Sequence, residues 1–225
     1  APTTEKGVLI RLNKIKSDFQ GVILQDVTVL TLRDWLEPFT PHARKGNRLV
    51  WIDIYKYALS EGLCSDNLAE RTLTKKIPKR KRDRLTLDEF NLIYNNSPEW
   101  FQIAMKACLL TLQRRDDLTN IKFSDFSDGV LTLIQNKTGT GLKITANTAL
   151  DMLFKASKGT KILSPYLIHK KPNKVRKEYI DQKKHWTQVT PEMLTREFKK
   201  QRDLVIESTA NRYEIKSLGG RLLIE

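Results

Sequence analysis

The sequence contains few of the residues that build metal sites, disulfide frameworks or membrane spans. Its two cysteines, Cys64 and Cys108, stand in apolar, helix-like surroundings without the spacing of a metal site. Its three histidines have no carboxylate partners at ligand spacing, so we expect neither a metal nor a cofactor. No apolar run reaches the length of a membrane span, and no charged-then-apolar leader opens the chain. These absences predict a soluble intracellular protein with no membrane partner.

Positive charge is the main excess. The 225 residues include 40 Lys and Arg against 26 Asp and Glu, which gives a formal net charge of +14. Hydrophobic residues make up 40% of the sequence, so the chain can bury a core and is not a basic disordered tail. A folded protein with this charge is expected to bind a polyanion.

Most of the excess charge lies in two segments. Residues 78–85 hold five basic side chains and one acidic one, and residues 161–201 hold eleven basic and four acidic ones. We interpret 78–85 as an interdomain linker that lies along DNA phosphates, with a solvated loop or a localisation tag as the alternative. The stretch 169–185 is predicted to be an exposed loop, and solvent exposure is expected for the histidines at both its ends. The candidate DNA contacts in these segments are Lys79, Arg80, Lys81, Arg82, Lys170, Lys171, Lys174 and Arg176.

Hydrophobic periodicity predicts a mixed fold that is mainly α-helical with a small antiparallel β-hairpin. Residues 1–77 give helical patterns over 9–19, after a Thr31 cap and over 47–61, with apolar stripes that we assign to the core. After the linker, a capping box at Thr86 and Glu89 opens a helix, and a second helix covers 100–113. Two short apolar runs around the glycine-bearing turn 136–141 predict the hairpin, and helices follow from Thr148, Thr190 and Tyr213.

Charged residues follow the second apolar helix after the linker. Arg114 and Asp117 are three residues apart, so Asp117 can hold Arg114 on one side of a helix, although a plain surface ion pair would have the same spacing. Lys137 stands in the turn of the predicted hairpin. Each feature is common alone, whereas an apolar helix, an Arg with Asp three residues on, and a strand–Lys–Gly turn–strand in this order are less common.

In this order, the motifs resemble the catalytic domain of tyrosine recombinases, and specifically the integrases of lambdoid temperate phages. The resemblance is carried by RLTLDEFNLIY, by Gln113-Arg114 with Asp117-Leu118, by IKFSDFSDGVLTLIQNKTGTGLKI, by HWTQVTPEMLTREFKKQRDL and by YEIKSLGGRLL. It covers essentially the whole chain. It implies a helical core-binding domain over 1–77, the linker over 78–85 and a catalytic-type domain over 86–225, which together close on duplex DNA as a C-shaped clamp.

The resemblance implies metal-free DNA strand exchange through a 3′-phosphotyrosyl intermediate. Arg114 matches the first catalytic arginine, whose planar guanidinium suits two non-bridging phosphate oxygens. Asp117 matches the acidic residue that orients it. Lys137 matches the hairpin lysine that reaches the minor groove and protonates the leaving 5′-oxygen. The implied partners are duplex DNA and other recombinase protomers on that DNA, in the cytoplasm of a bacterial host.

Two positions depart from the family's His-x-x-Arg box. Tyr213 stands at the histidine, and it is a poor acid or base near neutral pH. Lys216 stands at the arginine, and it keeps the charge but loses the planar fork. The nucleophilic tyrosine of the family would lie beyond Glu225, so we expect no strand cleavage by these residues alone.

Three functional classes therefore stay open. The chain is a truncated or decayed form of an integrase, or an incomplete relative that binds DNA as a regulator or decoy, or a basic interaction module whose likeness is only ancestral.

Overall fold

The chain divides into two compact units, residues 1–80 and residues 81–225. The computed structural model describes residues 2–77, 83–172 and 183–224. Most of the predicted linker 78–85 therefore lies outside the described residues. Within those ranges, no helix is both long and apolar enough to cross a membrane.

The first unit is helical over its described residues. It comprises α1 (Pro2–Asp18), a 3₁₀ turn (Leu24–Asp26), α2 (Val29–Leu36) and α3 (Pro41–Ser60). Both later helices begin earlier than predicted because another threonine caps each of them. Thr28 caps α2 and forms a capping box with Thr31, the residue predicted as the cap. Thr40 caps α3, whose first helical residue is a proline, a position where a missing N–H costs nothing.

Aromatic side chains form much of the core of the first unit. The Trp51 ring packs edge-on against Phe19 and Trp35, with ring centroids 4.8 Å and 6.1 Å away. Tyr55 is buried one turn further along α3, and Leu32 of α2 is buried in the same cluster. Large rings let this small unit bury apolar area from few residues.

The apolar stripes of α1 and α3 are only partly buried, which corrects their assignment to the core. In α1, Ile15 is buried but Leu9 and Ile10 are exposed. In α3, Leu49 and Tyr57 are also exposed. Periodicity identifies the helices, but it does not tell which part of an apolar stripe meets a neighbour.

The second unit places helices around a small sheet. Its elements are α4 (Leu87–Asn95), α5 (Glu99–Thr111), α6 (Arg115–Leu118), a 3₁₀ turn (Phe123–Asp125), β1 (Phe126–Ser127), β2 (Val130–Ile134), β3 (Gly141–Thr145), α7 (Thr148–Lys158), α8 (Pro191–Val205) and α9 (Tyr213–Leu222). The predicted capping box is present, because the Thr86 hydroxyl accepts from the Glu89 N–H while the Glu89 carboxylate accepts from the Thr86 N–H.

The sheet contains the predicted hairpin and one further strand. Strands β2 and β3 pair antiparallel from Val130–Thr145 to Ile134–Gly141, so the hairpin prediction is confirmed. The short β1 pairs with β2 on its other side and was not predicted. It turns into β2 through Asp128 and Gly129, which both have positive φ. The predicted fold class, mainly helical with a small antiparallel sheet, is thus confirmed.

Helix α5 forms the centre of the second unit. It packs against α4, α6, α7, α8 and α9, and Phe101, Ala104 and Cys108 on it are buried. Its closest neighbour is α9, because Gly219 brings the α9 backbone against the Leu109 carbonyl of α5. This approach places the second half of α9 beside the end of α5.

Candidate functional site

A left-handed residue positions Arg114. Helix α5 ends at Thr111 and is capped by Leu112, whose φ is +54° and whose N–H still donates to the Cys108 carbonyl. Glycine or asparagine usually takes this conformation, so a leucine at this position provides no local signal for it. The chain turns at this point, Gln113 is buried, and Arg114 becomes the N-cap residue of α6 with its side chain partly exposed.

The predicted ion pair between Arg114 and Asp117 is absent. No carboxylate among the described residues lies within 4.0 Å of the Arg114 guanidinium. Its Nη1 instead donates to Oε1 of Gln135, 3.5 Å away. Asp117 is buried, and its Oδ1 accepts from the Asn136 backbone N–H at 2.7 Å. The carboxylate therefore holds the hairpin, while the arginine keeps an uncancelled positive charge.

The turn that carries Lys137 is closed by hydrogen bonds of its own backbone. The Gln135 N–H donates to the Thr140 carbonyl at 2.9 Å, and the Gly139 N–H donates to the Gln135 carbonyl at 2.8 Å. Gly139 has a φ of +68°, a conformation that favours glycine. Lys137 is exposed at this turn and directly follows Asn136, which Asp117 anchors.

Two glutamines that the sequence interpretation missed connect α6 to the hairpin. The buried Gln113 amide donates to the Thr111 carbonyl at 2.8 Å and accepts from Gln135 Nε2 at 3.1 Å. Gln135 Oε1 in turn accepts from Arg114 and, at 3.3 Å, from the Thr138 hydroxyl. The signal available in the sequence was Gln135-Asn136, two side-chain amides that follow β2 and directly precede Lys137. These neutral amides orient the guanidinium without cancelling its charge.

Tyr213 and Lys216, the two residues that depart from the family's His-x-x-Arg box, lie in the first turn of α9. Tyr213 is the first helical residue and is half exposed, and Lys216 is partly buried one turn further on. The sequence interpretation missed Arg212, which is 4% exposed and whose Nη1 donates to the Cys108 Sγ at 3.6 Å. Its guanidinium also lies 5.5 Å from the centre of the Tyr213 ring. Arg212 has no carboxylate partner among the described residues, and burying a guanidinium is costly, so its contacts with Cys108 and Tyr213 offset part of that cost.

Cys108 connects the two parts of the site. Burial raises the pKa of its thiol, and the nearby positive charges of Arg212 and Lys216 oppose that rise. The protonated thiol donates to the Gln113 carbonyl, with Sγ 3.9 Å from the oxygen. The structure therefore joins Arg114, Asp117 and the Lys137 turn by hydrogen bonds, and it relates Tyr213 and Lys216 to them through α5.

No group of three or more His, Cys, Asp or Glu side chains in the described ranges could hold a metal ion. The chemistry that these residues offer is that of fixed cations and hydrogen-bond donors.

Comparisons with known proteins give relatives of one kind. No protein-family model matches the chain. It is 31% identical to the integrase of Enterobacteria phage 434 over 159 residues, which cover 66% of this chain and 44% of that protein. It is 33% identical to the integrase of Escherichia phage lambda over 156 residues, which cover 65% and 43%. It is 30% identical to a prophage integrase of Escherichia coli K12 over 221 residues, which cover 91% and 57%. The chain belongs to the phage integrase family of tyrosine recombinases.

Solved structures show the same fold for this integrase-family chain. It superimposes on a lambda integrase dimer bound to a COC′ core site with a TM-score of 0.83 at 23% identity, covering 100% of this chain and 84% of that one. The TM-score is 0.81 at 24% identity for a lambda integrase tetramer bound to a Holliday junction, covering 99% and 65%. The chain spans about half the length of the curated relatives that it matches.

The predicted DNA contacts of this integrase-family chain fall into two sets. Lys79, Arg80, Lys81, Arg82, Lys174 and Arg176 lie outside the described residues. Lys170 and Lys171 lie within the described residues and directly follow His169. His169 is buried, so the prediction that it is exposed to solvent is wrong. Its Nδ1 lies 2.8 Å from the Tyr166 carbonyl and its Nε2 lies 2.7 Å from the Thr160 hydroxyl. Lys170 and Lys171 therefore directly follow a buried, hydrogen-bonded histidine. Sequence composition alone did not indicate this.

Proposed function

We propose that this chain binds duplex DNA and belongs to the machinery of site-specific recombination. The observation that carries the proposal is the Arg114 guanidinium, which donates to a neutral amide at 3.5 Å, has no carboxylate partner among the described residues and lies close to the anchored turn of Lys137. Such a guanidinium suits a phosphodiester, because its fixed donors fit two oxygens and its charge is not already paired. The names of the relatives and the DNA in the solved structures support the same choice.

Each residue has a role that follows from its position. Arg114 contacts non-bridging oxygens, and Lys137 reaches the same phosphate or its leaving oxygen from the mobile end of an exposed side chain. Asp117 is a positioning residue, since its carboxylate acts through the hairpin backbone. Lys216 adds a third cation, and Tyr213 offers a hydroxyl donor at the start of α9. Because these cations surround one phosphate, they would stabilise the charge that develops on it during strand transfer.

We propose the following arrangement of the chain as a whole. Residues 1–77 act as a core-binding domain and residues 86–225 as a catalytic-type domain, and both contact one duplex. Other protomers bind neighbouring positions on the same DNA. Most contacts are to the phosphate backbone, so affinity falls steeply as salt rises.

The salt dependence of DNA binding tests this proposal with a matched pair of variants. Arg114→Gln removes the unpaired guanidinium. The control, Arg115→Gln, removes the neighbouring guanidinium, which is already paired because it lies 3.7 Å from the carboxylates of Asp116 and Glu192. By fluorescence anisotropy, Arg114→Gln is expected to weaken binding to a random duplex about tenfold and to lower the salt slope by about one. Arg115→Gln is expected to change both much less. Undetectable binding of the unmodified chain at low salt would overturn the proposal, and equal effects of the two variants would remove Arg114 from it.

We further propose that these 225 residues hold DNA without cleaving it. The altered Tyr213–Lys216 box motivates this, since an ammonium replaces a bidentate guanidinium and a phenol replaces an imidazole. A duplex with a nick beside the cleaved bond traps a phosphotyrosyl intermediate as a covalent adduct. We expect DNA binding without an adduct, the behaviour of a regulator or decoy. An adduct that is lost in Tyr213→Phe would instead assign the nucleophile to Tyr213.

A further inference from the structure

Two short segments of the second unit lie side by side and bring basic and aromatic residues together. His169 and Gln188 form an isolated antiparallel bridge, and the Lys170 N–H donates to the Thr187 carbonyl at 3.0 Å. The pairing places Lys170 beside the residues that precede Thr187. The resulting lysine–tryptophan patch consists of Lys170, Lys183, Lys184, His185 and Trp186.

The lysines of the patch carry more positive charge than the described structure compensates. The Lys170 ammonium lies 5.2 Å from the centre of the Trp100 ring, which draws it over an aromatic face. Burial and, secondly, the nearby charge of Lys170 lower the pKa of Lys183. Within the described ranges, no carboxylate lies within 4.0 Å of Lys170, Lys183 or Lys184. Two ammonium groups that no described carboxylate pairs with both attract an anion placed near them.

The two aromatic rings of the patch continue outward from Tyr166, which lies in the core. Tyr166 is buried, the His185 ring lies 6.5 Å from it, and the Trp186 ring lies 5.8 Å from His185 at an angle of 34°. The imidazole is fixed because its Nδ1 lies 2.7 Å from the Thr187 hydroxyl, which donates to Ser164 at 2.7 Å. Trp186 is 53% exposed. Because the exposed Trp186 indole packs on the His185 ring, it can contact a partner with little further loss of side-chain entropy.

The combination of residues favours a nucleic acid over a protein as that partner. Protein interfaces are enriched in tryptophan but depleted in lysine. Proteins that bind single strands, by contrast, use cations along the backbone together with aromatic rings on which bases stack. An indole can stack only on a base that has left its own stack or at a step that has been opened.

We propose that the lysine–tryptophan patch binds a DNA strand that contains an unstacked base, with Lys170 and Lys183 on flanking phosphates and the Trp186 indole stacked on the base. The inference rests on the proposed DNA-binding function and deepens it. It assigns to this patch a preference for locally opened DNA, which the Arg114 site does not require.

The test compares DNA structures rather than sequences. The full chain is titrated by anisotropy with an intact duplex and with the same duplex carrying a one-nucleotide gap. We expect tighter binding to the gapped duplex, and we expect Trp186→Ala to reduce that preference roughly tenfold, since stacking on one base is worth about that much. Trp186→Phe keeps an aromatic face and should retain most of the preference. The double variant Lys170→Gln, Lys183→Gln should weaken binding to both duplexes and lower the salt slope by about two.

The outcomes separate the patch from the general DNA-binding function. If the chain binds DNA but shows no preference for the gap, or if Trp186→Ala keeps the preference, the patch proposal is wrong and the Arg114 site stands. If no DNA binds at low salt, the proposed function fails as well. Tighter, Trp186-dependent binding of a single-stranded RNA of the same sequence would overturn the choice of DNA. Far-UV circular dichroism of each variant checks that loss of preference does not reflect loss of fold.

Discussion

The close approach of α9 to α5 gives a sharp test, because two adjacent glycines on α9 predict opposite effects. A Cβ added at Gly219 would lie 2.5 Å from the Leu109 carbonyl oxygen and 2.8 Å from a methyl group of Leu112. Real Cβ atoms essentially never approach closer than 3.0 Å, so α9 must move by at least half an ångström. A Cβ at Gly220 would meet nothing within 4 Å.

The magnitudes follow from helix propensity and packing. Alanine is favoured over glycine within a helix by up to about 1 kcal/mol, and both positions receive that benefit. Overpacking against a backbone carbonyl costs about 3 kcal/mol, at the upper end of the usual range, and only Gly219 incurs it. Gly219→Ala should therefore destabilise the second unit by about 2 kcal/mol, whereas Gly220→Ala should stabilise it by up to about 1 kcal/mol.

Urea denaturation of the full chain measures these changes. Because the chain has two compact units, hydrogen exchange of the α5 amides identifies which transition belongs to the second unit. The same displacement of α9 should lower DNA affinity in Gly219→Ala, since α9 carries Lys216. Shifts of the same sign in the two variants would refute the close approach of the helices, and with it the placement of α9 beside the end of α5.

Three further predictions concern single contacts in the second unit. Asp117→Ala leaves the Asn136 N–H without its acceptor and should speed hydrogen exchange in the hairpin turn by about tenfold or more, since such a bond to a charged group is worth about 1.5–3 kcal/mol. The backbone N–H and hydroxyl of Thr209 hold the pKa of Asp83 below its usual value, so this contact stabilises the fold above about pH 4 and is lost as the pH falls further. Asp83→Asn should therefore lose less stability than the unmodified chain when acidified, and an identical acid profile would contradict that contact. Cys108 is buried and burial raises its pKa, so iodoacetamide should alkylate it at least about tenfold more slowly in the native chain than in urea, as peptide mass spectrometry can show.

Local signals predicted those parts of the fold that local interactions form. The capping box of α4 and the hairpin turn at Gly139 each depend on residues within a few positions of one another, and both are present in the structure. The left-handed conformation of Leu112 could not be foreseen, because leucine does not favour it and no glycine or asparagine marks the position. The burial of His169 likewise depends on Thr160 and Tyr166, which a composition argument does not bring together.

The contacts of Asp117 show why the spacing of the motif did not predict the electrostatics around Arg114. Spacing of three residues allows a carboxylate to pair with Arg114, and such a pair would leave no net charge for a phosphate. In the structure a backbone N–H of the hairpin takes that carboxylate, and the side-chain amide of Gln135 takes the guanidinium. A neutral partner orients the arginine while its charge stays available, and the carboxylate instead fixes the turn that carries Lys137. Under the proposed function, the net charge of +14 would attract DNA over the whole molecule, and recognition of a single phosphate would depend on whether Asp117 pairs with Arg114 or with the hairpin N–H.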